Sequence, residues 1–264
     1  DNIAITASDL QVLTLEGQPL LGPISFEVKA GQKVAIVGPS GAGKTSLLNA
    51  LLGFLPYKGS LKVNGVELSV LDQSKWRAHL AWLGQDPQLF HGSIRENVCL
   101  ANPDLTDAQV MALLEKASIA EFVTQHPQGL DAVISDQAAG VSVGQAQRIA
   151  LARALAQPAS LFLLDEPTAS LDSHSEKLVS DSLKQAMQQQ TCVMVTHRLD
   201  QLQSMDNILV VDHGQIVQQG DFALLNHQTG LFNSMQQQDD DGLSLYIDEQ
   251  EPIKTDEQTQ REDV

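Results

Sequence analysis

The chain has 264 residues, 42% of them hydrophobic but only 4% aromatic, and carries a formal net charge of −17. Such a length holds one large domain or two small ones. The acidic surplus disfavours a nucleic-acid partner, whose binding rests on Lys and Arg neutralising phosphates, and so few aromatics argue against extended platforms for stacking bases or sugars.

Ten Asp/Glu residues against Lys254 and Arg261 put −8 on residues 239–264 and leave −9 for residues 1–238. That acidic, Gln-rich stretch, with one apolar island around Leu243, Leu245, Tyr246 and Ile247, is expected to be a solvated tail following a domain at 1–238. Cys99 and Cys192 are far apart and in no CxxC spacing, so both are expected to pack as small apolar side chains rather than form a disulfide or zinc site. No apolar run reaches the ~20 residues of a membrane-spanning helix, and no secretory leader is expected. A membrane role would come through a partner or a segment outside this sequence.

In chain order, Phe26–Lys29 and Val34–Val37 read as strands, and residues 43–52 as a helix with Leu47, Leu48, Leu51 and Leu52 on one face. Residues 60–68 suggest a hairpin turning at Asn64-Gly65, and Leu80–Leu83 a short strand. Residues 60–118 read as a helical insertion. Thr106 and Ser142 are candidate helix caps. Leu161–Leu164 has the unbroken apolar character of a strand buried on both faces. A helix over 174–189 and strands over 191–195, 207–211 and 215–219 complete an alternation that implies an α/β domain around a parallel sheet.

Gly38-Pro39-Ser40-Gly41-Ala42-Gly43-Lys44-Thr45, followed by Ser46, fits GxxxxGK[ST] in full and lies between an expected strand and an expected helix. Glycines let backbone N–H groups wrap a polyphosphate, and the helix N-terminus adds partial positive charge. Lys44 is placed to reach the outer phosphates, and the Thr45 hydroxyl to ligate Mg²⁺. Further on, Leu161-Phe162-Leu163-Leu164 ends in Asp165-Glu166. Successive strand side chains point to opposite sides, so Asp165 can hold Mg²⁺ while Glu166 acts as general base on the attacking water.

These motifs, in this order, resemble the nucleotide-binding domains of ABC transporters over roughly residues 5–237. The resemblance implies a P-loop ABC ATPase fold: a parallel core sheet, an antiparallel β subdomain and a helical subdomain at about 86–157. It also implies ATP and Mg²⁺ as cofactors. Val141-Ser142-Val143-Gly144-Gln145 is similar to the family's LSGGQ signature, departing from it at Val141 and Val143 while keeping Ser142, Gly144 and Gln145. By resemblance, Gln85 matches the Q-loop glutamine that senses Mg²⁺ and water. Ser170-Leu171-Asp172 matches the D-loop and His197 the switch histidine, and residues 86–100 face a membrane domain, with Phe90 and Ile94 as candidate contacts. The usual adenine-stacking aromatic is missing; its position falls near Thr14, between Leu13 and Leu15.

The family closes two such domains head-to-tail, so this signature and D-loop would serve a partner's site. Segments 53–61, 82–89 and 141–148 look most like the D subunit of heterodimeric CydDC-type exporters of cysteine and glutathione, needed for cytochrome bd assembly. That likeness implies a transmembrane domain in the same full-length chain and a place on the cytoplasmic face of the bacterial inner membrane. A lipid or peptide exporter, a degenerate regulatory subunit and a non-transport ABC ATPase are the alternatives.

Overall fold

The structure, a computed structural model, describes residues 2–86, 88–134, 141–169 and 171–236. The acidic stretch 239–264, Pro87 and Ser170 of the expected D-loop lie outside the described residues.

The chain opens with a layer the sequence pattern only partly announces. Strands β1 (Ile5–Leu13) and β2 (Pro19–Val28) pair antiparallel, and β4 (Tyr57–Val63) and β5 (Val66–Glu67) extend them into a four-stranded sheet ordered β2-β1-β4-β5. Asn64 and Gly65 turn the β4–β5 hairpin with φ 47° and 81°, the pair of positive values a type I′ turn requires.

A six-stranded sheet forms the centre, in the order β12-β11-β3-β10-β9-β6. Its members are β3 (Lys33–Val37), β6 (Leu80–Leu83), β9 (Leu161–Asp165), β10 (Thr191–Val195), β11 (Asn207–Asp212) and β12 (Gln215–Gly220). All neighbours run parallel except the β11–β12 hairpin at one edge. Strands β9 and β10 are buried at every position, and alternation divides their side chains between two cores. Phe162, Leu164, Cys192 and Met194 face a core shared with the helices that follow β6. Leu161, Leu163, Val193 and Val195 face a core closed by α1 (Lys44–Leu51) and the antiparallel sheet. Each fully buried Leu or Val contributes about 1.5–3 kcal/mol, so this two-sided burial holds the parallel strands in register. Cys192 is buried and unpaired and Cys99 half-buried; burial pushes the thiols of both upward.

The stretch 60–118 departs from the expected helical insertion. Its first part completes β4 and β5, a short α2 (Gln73–Ala78) follows, and β6 is the edge strand of the central sheet. The short strands escape a helical reading because β4 alternates buried Leu61 and Val63 with exposed Lys62. The helices cluster later: α3 (Ile94–Cys99), α4 (Asp107–Lys116), α5 (Ala120–Gln125) and α6 (Val143–Ala156), with the two-stranded β7 (Gly92–Ser93) and β8 (Val133–Ile134). Thr106 with Gln109 and Ser142 with Gln145 form reciprocal capping boxes at the starts of α4 and α6, as their residue types allow. Among the described residues no helix is long and apolar enough to cross a membrane.

Candidate functional site

The C-terminal ends of β3, β9, β10 and β6 lie at one edge of the sheet, where open α/β folds place ligands. They surround a cleft of about 640 Å³ lined by Gly38, Pro39, Ser40, Gly41, Gly43, Lys44, Thr45 and Ser46 of the phosphate loop. Gln85, Asp165, Glu166 and His197 complete its polar wall. Strand register makes this meeting possible: Val195 pairs with Asp165 on one side and with Ile36 on the other, and Leu83 pairs with Leu164.

Two glycines of the loop are demanded by its geometry. A Cβ on Gly38 would sit 2.0 Å from the carbonyl oxygen of Val211. Gly43 caps α1 in the left-handed region at φ 101°, which a side chain disfavours. The eight-residue α1 then points its N-terminal N–H groups at the cleft, the arrangement that suits a phosphate. Ala42 alone of the expected loop residues does not line the cleft. Its side chain is buried in the core and its N–H donates to the Pro39 carbonyl, tightening the loop.

The Lys44 ammonium donates to the carbonyls of Gly38 and Pro39 at 2.7 and 2.8 Å. Burial lowers its pKa, while Glu166 and Asp165 nearby act in the opposite sense. Thr45 Oγ1 donates to Asp165 Oδ2 at 2.8 Å. Asp165 is 2% exposed; burial raises its pKa, with Glu166 adding to the rise and Thr45 and Lys44 opposing it. Desolvation thus disfavours the charged form of both groups, and a bound cation and polyphosphate would offset it.

Glu166 occupies the left-handed region at φ 49°, a conformation that costs a non-glycine residue about 1–2 kcal/mol. The surroundings fix it there: its N–H donates to the Val195 carbonyl, and its own carbonyl accepts from Ala169 N–H and from the Gln147 side-chain amide. In this turn Glu166 Oε1 lies 3.9 Å from Nδ1 of His197. Thr196, the residue before His197, bonds to buried Gln201, whose amide also reaches Thr168 and Ser180. The histidine-bearing loop is thus tied to the segment that follows Glu166.

No group of three or more His, Cys, Asp or Glu that could hold a metal by itself occurs among the described residues. The Thr45 hydroxyl and the Asp165 carboxylate, already in contact, fit Mg²⁺ bound in the way that uses one or two protein oxygens plus substrate phosphates.

Ser142, Gly144, Gln145 and Asp172 do not line the cleft. Ser142 caps α6: its Oγ accepts from Gln145 N–H, and Gln145 Oε1 accepts from Ser142 N–H. Val143 stands 71% exposed at the first position of the helix. Asp172 caps α7 (Ser173–Ala186) by accepting from Ser175 N–H, and that bond brings its pKa down to about 2. These residues present their capped ends outward rather than to this chain's own cleft.

Two expectations change. Leu13, Thr14 and Leu15 do not line the cleft; Thr14 spends its hydroxyl on Gln18 N–H in the β1–β2 turn, and Leu15 is open to solvent. Leu20 on β2 lines the cleft instead, together with Val195 and with Met235 from a helical stretch at 231–236. Neither Leu20 nor Met235 belongs to a recognisable motif. Ile94 is 1% exposed in the core and offers no surface contact, whereas Phe90 is partly exposed beside the Arg153 guanidinium. Gln147 and Arg148, which follow the signature, prove to be structural ties: Gln147 joins α6 to the turn that carries Glu166, and Arg148 joins it to Ser118 and to Ser175 on α7.

The family model described as ABC transporter matches residues 21–169. The chain is 49% identical over 235 residues to the glutathione/L-cysteine transport system ATP-binding/permease protein CydD of Escherichia coli, covering 89% of this chain and 40% of that protein. It is 48% identical over 226 residues to the protein of the same description from Haemophilus influenzae, covering 86% and 38%. The transport ATP-binding protein AarD of Providencia stuartii is 48% identical over 230 residues, covering 87% and 39%. The chain thus spans about two-fifths of the length of these relatives. Among solved structures, a bacterial Atm1-family ABC exporter with ATP bound superposes with a TM-score of 0.86 at 31% identity, covering 91% of this chain and 42% of that one. With a phosphate loop, paired carboxylates, glutamine and histidine around one cleft, and with these relatives, the chain belongs to the ABC transporter family.

Proposed function

We propose that the chain binds Mg²⁺-ATP in the cleft at the sheet edge and hydrolyses it, as the ATP-binding domain of a bacterial exporter of cysteine and glutathione. The observation that carries the hydrolytic part is the convergence of Lys44, Thr45, Asp165, Glu166 and His197 on one cleft. The substrate class rests on the identity to the two glutathione/L-cysteine transport proteins.

In this reading the α1 N-terminus and Lys44 hold the triphosphate, and Thr45 and Asp165 hold Mg²⁺, which supplies charge neutralisation at the outer phosphates when bound. Glu166 accepts the proton of the attacking water, and His197 and Gln85 orient the end of the phosphate chain. The leaving group departs as ADP, and the water oxygen forms the new bond to the terminal phosphorus. Leu20 and Met235 supply the apolar wall of a site without an aromatic. Ser142, Gly144, Gln145 and Asp172 serve the cleft of a second such domain in a head-to-tail heterodimer. The domain lies on the cytoplasmic face of the inner membrane, driven against a transmembrane domain of the same full-length chain.

Glu166→Gln tests the chemistry: nucleotide binding should persist while turnover falls at least about a hundredfold. Near-normal ATPase activity would remove Glu166 from its role. Vesicles carrying the full-length pair, offered cysteine, glutathione, lipid and peptide, test the cargo; transport indifferent to thiols would remove the substrate class.

A further inference from the structure

Gln147 lies one turn into α6 and is 2% exposed. Its Nε2 donates to the carbonyls of Glu166 at 3.3 Å and Pro167 at 3.2 Å, while its Oε1 is buried with no partner among the described residues. Its neighbour Arg148 donates to the Gly144 carbonyl on the same helix, to the Ser118 carbonyl, and to Ser175 Oγ on α7. The segment from Glu166 to Ser175 is therefore fastened to α6 at both ends. That segment includes the left-handed turn aiming the Glu166 carboxylate and the α7 cap at Asp172. The N-terminal end of α6, one turn before Gln147, is the Ser142–Gln145 tip. The Gln147 side chain's hydrogen bonds among the described residues are thus the two its donor makes to the Glu166 turn.

We infer that Gln147 is a positioning residue which, with Arg148, couples the signature tip to this chain's own Glu166. The inference rests on the reading of the cleft as an ATPase site. When the tip engages a nucleotide held by the partner domain, α6 transmits that engagement to the Glu166 turn. The base of one site is then set by occupancy of the other, and the connection runs within one chain through two side chains.

The experiment uses the full-length chain with its partner, in which the partner's own base has been removed so that only this chain's cleft turns over ATP. Gln147→Met keeps length and apolar bulk but loses the donor. It should lower kcat by about a hundredfold, the scale of a small misplacement of a reacting group, with KM for ATP within about twofold and nucleotide binding intact. Gln147→Glu places a desolvated carboxyl between two carbonyls. Only its protonated form donates, so its activity profile should shift toward acid relative to the parent. Ser142→Ala should slow this chain's cleft when Gln147 is present and add nothing in the Gln147→Met background, the non-additivity expected of one linkage.

A Gln147→Met protein at the parent rate, a Gln147→Glu profile superimposable on the parent's, or additive effects of Ser142→Ala and Gln147→Met would each overturn the inference. A parent protein that binds no Mg²⁺-ATP or shows no turnover would instead overturn the ATPase reading itself.

Discussion

The hydroxyl of Thr45 donates a 2.8 Å hydrogen bond to Oδ2 of Asp165, joining the first turn of α1 to the end of β9. Among the described residues no other side chain bonds that carboxylate, and burial pushes its pKa up. A carboxyl whose folded pKa exceeds its unfolded value binds protons more tightly when folded. Stability therefore falls as pH rises from the unfolded value, about 4, through the raised one. Asp165→Asn removes that charge and keeps an acceptor for Thr45. The ligand-free variant should melt higher than the parent at neutral pH, and the difference should close below about pH 4. The variant should also lose the Mg²⁺-dependent part of the melting shift caused by ATP. Scanning calorimetry with and without Mg²⁺ checks both; an Asp165→Asn protein that keeps its Mg²⁺-dependent shift would separate Asp165 from the metal.

Lys44 gives a second pH signature. Its ammonium is half-buried against the loop carbonyls, and desolvation lowers its pKa below the ordinary lysine value. A lowered lysine pKa means the positive charge is lost earlier on the alkaline side. ATP affinity should accordingly weaken on the alkaline side before ordinary lysines titrate, near pH 10.4, and Lys44→Met should bind weakly with no such dependence. Calorimetric titration of ATP across that range decides the point. An affinity that stays flat to pH 10 would mean that Lys44 does not contribute its charge to binding.

Much of this site is legible in the sequence because its chemistry is local. The phosphate loop needs glycine where Gly38 meets the Val211 carbonyl, and Asp165-Glu166 follows a strand buried on both faces. Capping boxes likewise announce themselves, with Ser142 and Gln145 three residues apart. What the sequence does not reveal is set by distant packing. Leu20 and Met235 reach one cleft from opposite ends of the chain, and no spacing rule relates them. Gln147 looks like any polar residue of a helix until α6 is laid against the Glu166 turn. Ile94 reads as a surface contact because its neighbours do, yet α3 turns it inward.

The apolar wall of the cleft supplies the third prediction. Leu20 and Met235 flank a cleft whose other apolar lining side chains, among the described residues, are Pro39 and Val195. Leu20→Ser and Met235→Ser should each weaken ATP binding several-fold, since losing about 1 kcal/mol of apolar contact changes affinity about fivefold. Neither should alter the Mg²⁺ requirement. Comparing ATP with inorganic triphosphate distinguishes the two contributions. Triphosphate binding should be unaffected, and an equal loss for both ligands would place these side chains at the phosphates rather than at the base and sugar.

The last prediction concerns the tip of α6. Ser142→Ala removes the Oγ acceptor from Gln145 N–H and should cost about 1 kcal/mol, or roughly 2–4 °C in melting temperature for a domain of this size. Val143→Gly acts differently. Val143 is exposed, forms no part of the cleft, and puts a branched side chain at the first position of the helix. Its replacement should leave this chain's own affinity for Mg²⁺-ATP unchanged, because no cleft residue is touched. It should strengthen ATP-dependent association with the partner domain, because the N–H groups of the first turn become open to an approaching phosphate. Analytical ultracentrifugation of the domain pair with ATP, using a hydrolysis-deficient Glu166→Gln background, measures that association. Tighter nucleotide binding by the isolated Val143→Gly chain, with no change in pairing, would show instead that the tip acts on its own cleft.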